Sequence, residues 1–252
     1  MAQMKTHAVV QLFGLPIDAV TRDYMVARAE EAIVRRSIIW LTFVNVAILV
    51  KIQKEPVIRG MLARADYRLC DGMGLVYASR VLGKRLPEMV SGPYLLFRLL
   101  QFAESRGYPA YFLGGKAKVV EKAVENVCRK YPSLIVAGYR DGFFSAAEED
   151  DVVKQINNSR AQLLFVGMGF PRERIFLSRN LHHLNAPVCM DIGGALTVLA
   201  GIHKLAPPWI RVAGLEWLYR MLQEPSRLWR RYLVTNTLFG LLLIREFLRR
   251  IK

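Results

Sequence analysis

The chain has 252 residues, of which 53% are hydrophobic, and it carries a formal net charge of +15. This length and apolar content allow a buried core without disulfide or metal staples, and they exclude a disordered protein. Three scattered cysteines without a CxxC pair indicate reduced thiols in a cytosolic setting and argue against a zinc site. The basic excess indicates an anionic partner: nucleic acid, an anionic membrane or a phosphorylated substrate.

No segment is predicted to span a membrane. The longest stretches without charged residues are 37–50 and 232–244, and both are shorter than the roughly 18–20 residues that cross a bilayer. Residues 1–20 contain Gly14, Pro16 and Asp18 in an apolar stretch, which does not fit a signal peptide. We therefore expect a protein that does not cross the membrane but is able to lie on its surface.

Short apolar runs alternate with amphipathic patterns along the first 202 residues. Strands are predicted at 8–13, 38–44, 67–70, 110–113, 134–138, 163–166 and 188–190. Helices are predicted at 22–33, 46–52, 72–82, 95–106, 118–130, 146–156 and 173–179. This alternation favours an α/β fold with a largely parallel sheet flanked by helices.

The composition changes near residue 203. From there to the end, ten Lys or Arg residues face three acidic ones, and three of the four tryptophans occur. Helices are predicted at 209–223 and from 226 onward past 232. We therefore divide the chain into an α/β domain, 1–202, and a helical appendage, 203–252.

Five predicted strands end in residues suited to ligand binding. These ends contain Asn45, Asp71-Gly72, Gly114-Gly115-Lys116, Gly167-Met168-Gly169 and Asp191-Ile192-Gly193-Gly194. The carboxyl ends of parallel strands meet at one edge of a sheet, where α/β proteins bind their ligands. We expect one shared cleft along this edge.

Asp71 and Asn45 each have two interpretations. Asp71 is a candidate general base, because a carboxylate at a strand end is well placed to accept a proton. From sequence alone, the N-cap of the helix that starts at Gly72 is the favoured interpretation. Asn45 suits a nucleotide base or a sugar hydroxyl, and it also suits the cap of helix 46–52.

Two glycine turns carry charged side chains. Gly115 and Lys116 can present a backbone N–H and an ammonium group to phosphate, and a simple tight turn explains them equally well. After Gly169, Arg172 and Glu173 can face a sugar or a diphosphate, or they form the charged first turn of a helix.

The appendage is rich in arginine. If one helix axis continues through it, Arg220, Arg227 and Arg231 share a face. Guanidinium groups can bind a diphosphate as bidentate donors, the segment can lie among anionic headgroups, or the face is simply solvated. The stretch 238–252 combines leucines with four basic residues, which favours membrane contact over a core helix.

Four segments occur in the order and at the spacing of one known family. They are Asp71-Gly72-Met73-Gly74, Gly114-Gly115-Lys116, Gly169-Phe170-Pro171 and residues 214–233, which read GLEWLYRMLQEPSRLWRRYL. From about residue 9 to residue 233 the chain thus resembles the WecG/TagA/CpsF glycosyltransferase family. The last block is long and specific.

The resemblance implies a Rossmann-like catalytic domain, 1–202, and a membrane-association appendage, 203–252. It implies an inverting glycosyltransferase without metal or other cofactor. Such an enzyme moves a sugar from a UDP-sugar donor to a polyprenyl-diphosphate-linked sugar acceptor, in the biosynthesis of exopolysaccharide or another cell-surface polysaccharide. We expect a peripheral protein on an anionic membrane surface, the cytoplasmic face of the bacterial inner membrane. Formation of a homo-oligomer is left open.

In this interpretation Asp71 is the base, Glu173 is the reserve candidate for it, and tail arginines stabilise the departing UDP. The candidate substrate-binding residues are Thr42, Asn45, Gly72, Gly115, Lys116, Gly169, Arg172, Glu173, Arg211, Arg220, Arg227, Arg230 and Arg231.

Several positions depart from the family pattern where sugars would be recognised. The usual Gly-x-Pro-Lys-Gln-Glu is Gly-Phe-Pro-Arg-Glu-Arg at 169–174, and the usual Thr-x-Asn is Phe-Val-Asn at 43–45, with Thr42 one residue away. Tyr94 and Thr197 stand where aspartates are usual. These changes make a UDP-hexose such as UDP-glucose an option beside UDP-N-acetylmannosamine.

Two other function classes compete with this interpretation. A nicotinamide-dependent oxidoreductase would use the same fold, but the chain has no GxGxxG motif followed by an acidic residue. A nucleic-acid-binding protein would explain the charge, yet the basic residues interleave with leucines and do not form a polar arm. We expect no nucleic-acid partner.

Overall fold

The computed structural model describes residues 7–251, apart from the side chains of Val212, Arg227, Arg250 and Ile251. Two strands, β1 (Val9–Leu12) and β2 (Leu15–Asp18), form an antiparallel hairpin. A separate six-stranded sheet contains β3 (Ile39–Val44), β4 (Tyr67–Cys70), β5 (Ala110–Gly114), β6 (Val136–Arg140), β7 (Leu163–Gly167) and β8 (Val188–Asp191). Its order is β4-β3-β8-β7-β5-β6, and all its pairs are parallel.

Helices cover both faces of this sheet. They are α1 (Arg22–Arg35), α2 (Val46–Ile52), α3 (Pro56–Arg64), α4 (Met73–Val81), α5 (Gly92–Arg106), α6 (Ala117–Lys130), α7 (Glu149–Asn158), α8 (Arg172–Asn180) and α9 (Ala195–Leu199). One core packs α1, α5, α6 and α9 against the sheet. Two further cores lie on the opposite face, one with α7 and α8 and one with α2, α3, α4 and the hairpin.

Strand β3 shows why the sheet lies inside the protein. All six of its residues are buried, and a parallel strand that is covered on both faces reads as a continuous apolar run. Leu41 and Phe43 face the core with α1 and α5, whereas Trp40 faces the core with α7 and α8. The predicted α/β architecture with a parallel sheet is confirmed.

The strand predicted at 8–13 is confirmed as β1, which lies outside the main sheet and pairs with β2 across a turn at Phe13 and Gly14. Two other elements, β2 and α3, were not predicted. Strand β2 was missed because it contains Pro16, although the edge of a hairpin tolerates a proline. Helix α3 was missed because Gly60 interrupts it, yet Ile58 and Leu62 are buried four residues apart, as in a helix packed on a core.

The appendage contains three helices, α10 (Pro208–Val212), α11 (Glu216–Gln223) and α12 (Pro225–Ile251). The single helix predicted at 209–223 is wrong, because Gly214 adopts a left-handed φ of 73° between α10 and α11. A Cβ at Gly214 would lie 3.2 Å from Cβ of Met73 and 3.4 Å from the ring of Tyr77. The close approach of α4 therefore also favours glycine there.

A second break separates α11 from α12. Glu224 has φ −135° and ψ 60°, so the helix axis does not continue through it. The rings of Trp217 and Tyr232 meet edge to face at 5.8 Å, which packs α11 back against α12. The predicted common face of Arg220 with Arg227 and Arg231 is therefore wrong.

Helix α12 has an inner and an outer apolar face. Phe239 is 9% exposed and its ring lies 5.5 Å from that of Phe13, within the core that contains α2. The outer face exposes more than half of five aliphatic side chains: Leu233, Val234, Leu241, Ile244 and Leu248. The core-helix alternative thus holds for the inner side of α12, and membrane contact through the outer side stays a prediction. Within residues 7–251, no helix combines the length and apolarity needed to cross a bilayer.

Candidate active site

The carboxyl ends of the strands bring the turns after β4, β3 and β8 side by side. Asp71, Asn45 and Gly193 lie in these three turns. The backbone N–H of Asp71 donates to the carbonyl of Val44 at 2.8 Å, which fixes its turn to β3. Lys116 follows β5, four strand positions from β4, or roughly 19 Å at about 4.8 Å per strand. Asp71 and Lys116 therefore lie far apart along this edge of the sheet.

The Asp71 carboxylate is not a helix cap. The N-cap of α4 is Gly72, and no side chain caps this helix. Asp71 is half-buried, and within residues 7–251 no hydrogen bond to its carboxylate is found. The capping interpretation of Asp71 is therefore wrong, and its carboxylate oxygens remain available for another interaction.

Asn45 does act as a cap. Its side-chain oxygen accepts the N–H of Ile48 at 3.1 Å, at the start of α2. The capping alternative for this residue is confirmed. The same hydrogen bond holds Asn45 next to the Asp71 turn.

A buried polar network lies behind these turns. The Asp191 carboxylate accepts a hydrogen bond from the indole N–H of Trp40 at 3.2 Å and pairs with Arg174 at 3.5 Å. Arg174 also donates to the carbonyl of Phe43. Thr42 is fully buried, and its hydroxyl finds no partner within the described part of the chain. The network joins β3, β8 and α8.

The buried side chain of Glu173 connects the turns that follow β7 and β8. It is 3% exposed, and its carboxyl accepts the backbone N–H of Gly169 at 3.1 Å and that of Gly193. Burial, and next the charge of Asp191, raises the pKa of Glu173 to about 8, against the opposing effect of Arg174. A carboxyl so enclosed is poorly placed to reach a substrate hydroxyl. The structure therefore gives no support to Glu173 as the reserve base.

Hydrogen bonds to backbone carbonyls fix the turns that follow β5 and β7. Gly115 donates its backbone N–H to the carbonyl of Gly167 at 3.0 Å, so this N–H is not available to a phosphate. The tight-turn interpretation is the better one here. Lys116 beside it is exposed. Arg172 donates from its guanidinium to the carbonyl of Gly142 at 2.8 Å.

Two arginines of the appendage reach the sheet edge. The Arg220 guanidinium lies 3.6 Å from the place of a Cβ on Gly194, in the turn after β8. The Arg211 guanidinium lies 4.2 Å from the centre of the Tyr94 ring, a cation–π contact. The Tyr94 hydroxyl donates to the carbonyl of Ala206 at 3.3 Å. Helix α11 thus holds one cation beside the turn after β8, and α10 holds a second against the start of α5.

Glu216 belongs to the same cluster, although the sequence analysis missed it. It opens α11, and its carboxylate interacts electrostatically with Asp71, Arg220 and Arg211. Burial, and next the negative charge of Asp71, raises the pKa of Glu216 to about 7, while the two arginines oppose this. The i,i+4 spacing of Glu216 and Arg220 was the available sequence signal, and it reads equally well as an ordinary helix ion pair.

The remaining tail arginines lie on α12. Arg230 is exposed, and its guanidinium is 5.2 Å from the centre of the Trp229 ring. Arg231 is exposed at the next position. The side chain of Arg227 lies outside the described residues. Contacts close to the sheet edge are seen for Arg211 and Arg220.

The parallel α/β sheet with charged turns at the carboxyl ends of its strands has the form of an α/β enzyme. A profile of the Glycosyl transferase WecG/TagA/CpsF family matches residues 10–252. The chain belongs to this family and is a glycosyltransferase. The family resemblance seen in four segments of the sequence is confirmed.

The names of two related proteins describe the sugar that they transfer and the acceptor that receives it. An N-acetylglucosaminyldiphosphoundecaprenol N-acetyl-beta-D-mannosaminyltransferase of Bacillus spizizenii is 33% identical over 180 residues, which cover 71% of this chain and 69% of the relative. A protein of the same description from Staphylococcus aureus is 29% identical over 225 residues, 88% of each chain. Their names describe transfer of N-acetylmannosamine to a polyprenyl-diphosphate-linked sugar.

Proposed function

We propose that the chain transfers a sugar, with inversion, from a UDP-sugar to a saccharide on a polyprenyl-diphosphate carrier during cell-surface polysaccharide synthesis. The observation that carries the proposal is that Glu216 of the appendage interacts electrostatically with Asp71, whose carboxylate caps no helix, and also with Arg211 and Arg220. A single displacement needs a base for the acceptor proton and positive charge for the departing diphosphate. A base and two cations at one sheet edge supply both. The names of the relatives support the class of acceptor.

The reaction needs one in-line step. The acceptor oxygen attacks the anomeric carbon of the donor, its proton passes to Asp71, and the bond from that carbon to the diphosphate oxygen breaks. A base in this position contributes about 10²–10⁴-fold in rate. Arg211 and Arg220 stabilise the negative charge that grows on the departing UDP. Lys116 and Arg172, farther along the edge, are assigned to the nucleotide end of the donor.

The choice of donor sugar lies between two candidates. The relatives favour UDP-N-acetylmannosamine, and departures from the family pattern favour a UDP-hexose. Two of these departures have structural roles here: Tyr94 contacts Arg211, and the Thr197 hydroxyl lies 2.8 Å from Nδ1 of His203. Because both are engaged with the appendage, they weaken the argument for a hexose. We propose UDP-N-acetylmannosamine as the first donor to test.

A donor panel tests this function. The full chain is mixed with a short-chain polyprenyl diphosphate carrying N-acetylglucosamine, and UDP release is measured for UDP-N-acetylmannosamine, UDP-glucose and UDP-N-acetylglucosamine. We expect release with one donor, and a product whose anomeric configuration by NMR is opposite to that of the donor. Retention of configuration, or acceptor-independent release alone, would contradict the mechanism.

We further propose that the enzyme works as a peripheral protein on the cytoplasmic face of the membrane. The outer face of α12 offers Leu241, Ile244 and Leu248 to an apolar phase, and Arg245 and Arg249 lie exposed on the same helix. Each basic residue near anionic lipid contributes about 1 kcal/mol, and apolar burial adds to this.

Vesicle sedimentation tests the location. The double replacement of Leu241 and Leu248 by Ser should reduce binding to phosphatidylglycerol vesicles, and salt should weaken what remains. The exposed polar change Thr237→Ser, on the same helix, is the matched control. Unchanged sedimentation of the double variant would place the membrane contact elsewhere.

A further inference from the structure

A chain of polar contacts joins the appendage to the turn after β8. The Thr197 hydroxyl lies 2.7 Å from the carbonyl oxygen of Gly194 and 2.8 Å from Nδ1 of His203. The other ring nitrogen of His203, Nε2, lies 3.2 Å from the carboxylate of Glu224, which ends α11. These contacts, from Gly194 through Thr197 and His203 to Glu224, are called the His203 bridge below. The bridge connects α9 of the catalytic domain to the break between α11 and α12.

The helix that Glu224 ends also carries Arg220. The backbone N–H of Glu224 donates to the carbonyl of Arg220 at 3.2 Å, so the two residues lie one helical turn apart. The Arg220 guanidinium lies 3.6 Å from the place of a Cβ on Gly194, the residue at which the His203 bridge begins. The bridge and the Arg220 side chain therefore reach the same turn of the sheet edge.

Polar contacts are the main means of holding the end of α11 in place. None of the residues of α11, Glu216–Gln223, is buried, so apolar burial attaches this helix only weakly. Beside the bridge, the Gln223 side chain accepts the N–H of Lys204 at 2.8 Å and donates to its carbonyl at 3.0 Å. The position of Arg220 therefore depends on these polar contacts at the C-terminal end of its helix.

The number of available hydrogens shows which form of His203 completes the bridge. Its three contacts join the Gly194 carbonyl to the Thr197 hydroxyl, this hydroxyl to Nδ1, and Nε2 to the Glu224 carboxylate, and each needs one hydrogen. The hydroxyl supplies one, and a neutral imidazole supplies one more. Only the imidazolium, with a hydrogen on both nitrogens, supplies the two that remain. The bridge is therefore complete when His203 is protonated.

We propose that His203 is a positioning residue, which holds α11 against the turn after β8 and so keeps Arg220 in place for the departing diphosphate. This inference rests on the proposed use of a UDP-sugar, in which Arg220 stabilises the charge of the leaving group. His203 itself contacts neither substrate and acts through Arg220. Loss of the ring proton leaves one contact of the bridge without a hydrogen and loosens this hold.

A double-mutant cycle of His203→Ala with Arg220→Lys tests the role in the full chain. Transfer to the short-chain acceptor is measured with the donor that wild type accepts among UDP-N-acetylmannosamine, UDP-glucose and UDP-N-acetylglucosamine. His203→Ala should lower kcat by about tenfold in the wild-type background but less than about twofold beside Arg220→Lys, since lysine already lacks the fork that the bridge positions. His182→Ala, which changes an exposed histidine of the catalytic domain, is the matched control and should leave kcat unchanged.

The pH profile distinguishes this role from a purely structural one. Histidine side chains change charge between about pH 5 and pH 8. Thr197 of α9 and Glu224 of α11 face the ring, and Lys204 and Arg220 are cationic residues of the same junction. The ratio of kcat in wild type to kcat in His203→Ala should fall towards one as the pH rises from about 6 to about 8. Other titrations are common to both proteins and cancel in this ratio.

Each outcome bears on one part of the account. Equal losses from His203→Ala in both backgrounds would overturn the inference and leave the proposed function intact, and a ratio that does not change with pH would overturn the protonated bridge. If His203→Ala does not fold, Thr197→Val removes the hydroxyl that contacts both Gly194 and His203, and the same two patterns are expected of it. Absence of transfer by wild type with all three donors would contradict the proposed function itself.

Discussion

The catalytic domain and the appendage differ in how they hold their functional groups. In the domain, every residue of β3 is buried, and backbone hydrogen bonds fix the turns that follow the strands. In the appendage, α10 and α11 expose Trp209 and Leu222, each at 70%. Yet these short helices supply Arg211 and Arg220. A sheet edge fixed by backbone hydrogen bonds holds Asp71, and a more exposed pair of helices holds Arg211 and Arg220.

This comparison separates two kinds of mutation. Changes in the sheet-edge turns should affect the chemistry without loosening the fold. Changes in the appendage should affect either the charge that it delivers or its attachment to the domain. The four predictions below are ordered from the largest expected effect to the smallest.

Replacing Asp71 by Asn should reduce turnover by at least about 100-fold, because the amide keeps the shape but cannot take a proton. The carboxylate caps no helix, so thermal unfolding should stay close to that of wild type. The measurement is UDP release under single-turnover conditions. A variant with nearly normal turnover would remove Asp71 from the role of base.

Replacing Arg220 or Arg211 by Lys should lower kcat by about ten- to a hundredfold. Lysine keeps the charge but loses the planar fork that binds a diphosphate in a bidentate manner. Arg230→Lys is the matched control, because this exposed residue contacts Trp229 on α12, and its rate should change little. Equal rates in all three variants would show that the tail arginines contribute only a general electrostatic attraction for anions.

Replacing Phe239 by Ala should lower the free energy of unfolding by about 2 kcal/mol, since the ring packs against Phe13 in the core with α2. Leu241→Ala, two residues away, changes a side chain that is 59% exposed, and it should cost less than about 0.5 kcal/mol. Urea unfolding measures both. Equal effects would mean that α12 is not attached through its inner face.

Replacing Glu173 by Gln should alter how stability depends on pH. The folded pKa of about 8 lies above the ordinary value of 4.5, so the folded state keeps a proton that the unfolded state has released. Wild-type stability therefore falls as pH rises between these values. From about pH 5 to about pH 8, wild type should lose at least about 1 kcal/mol more than Glu173→Gln in urea unfolding. Parallel pH profiles would show that this carboxyl is ionised in the folded protein.

The catalytic domain was more predictable from sequence than the appendage. Buried parallel strands such as β3 are unbroken apolar runs, and the residues that end them, including Asp71 and Asn45, must share one edge of the sheet. The order of the strands, by contrast, depends on contacts between residues far apart in the chain. Sequence spacing therefore could not show that Lys116 lies four strand positions from Asp71.

The appendage was less predictable because its geometry depends on two breaks. Residues 209–223 have a helical pattern throughout, and the break at Gly214 follows from the approach of α4, which local sequence does not encode. The end of α11 at Glu224 then separates Arg220 from the axis of α12. Glu216 was missed for the same reason, because its position near Asp71 depends on how the appendage packs against the domain.

A double-mutant cycle on Asp71→Asn and Arg220→Lys tests most directly whether base and cation act in one site. Both groups are assigned to a single displacement, so the loss in kcat of the double variant should be clearly smaller than the product of the two single losses. Transfer from the active UDP-sugar is measured for wild type and the three variants under identical conditions. Losses that multiply would show that the appendage arginine acts independently of Asp71, and would contradict the shared site.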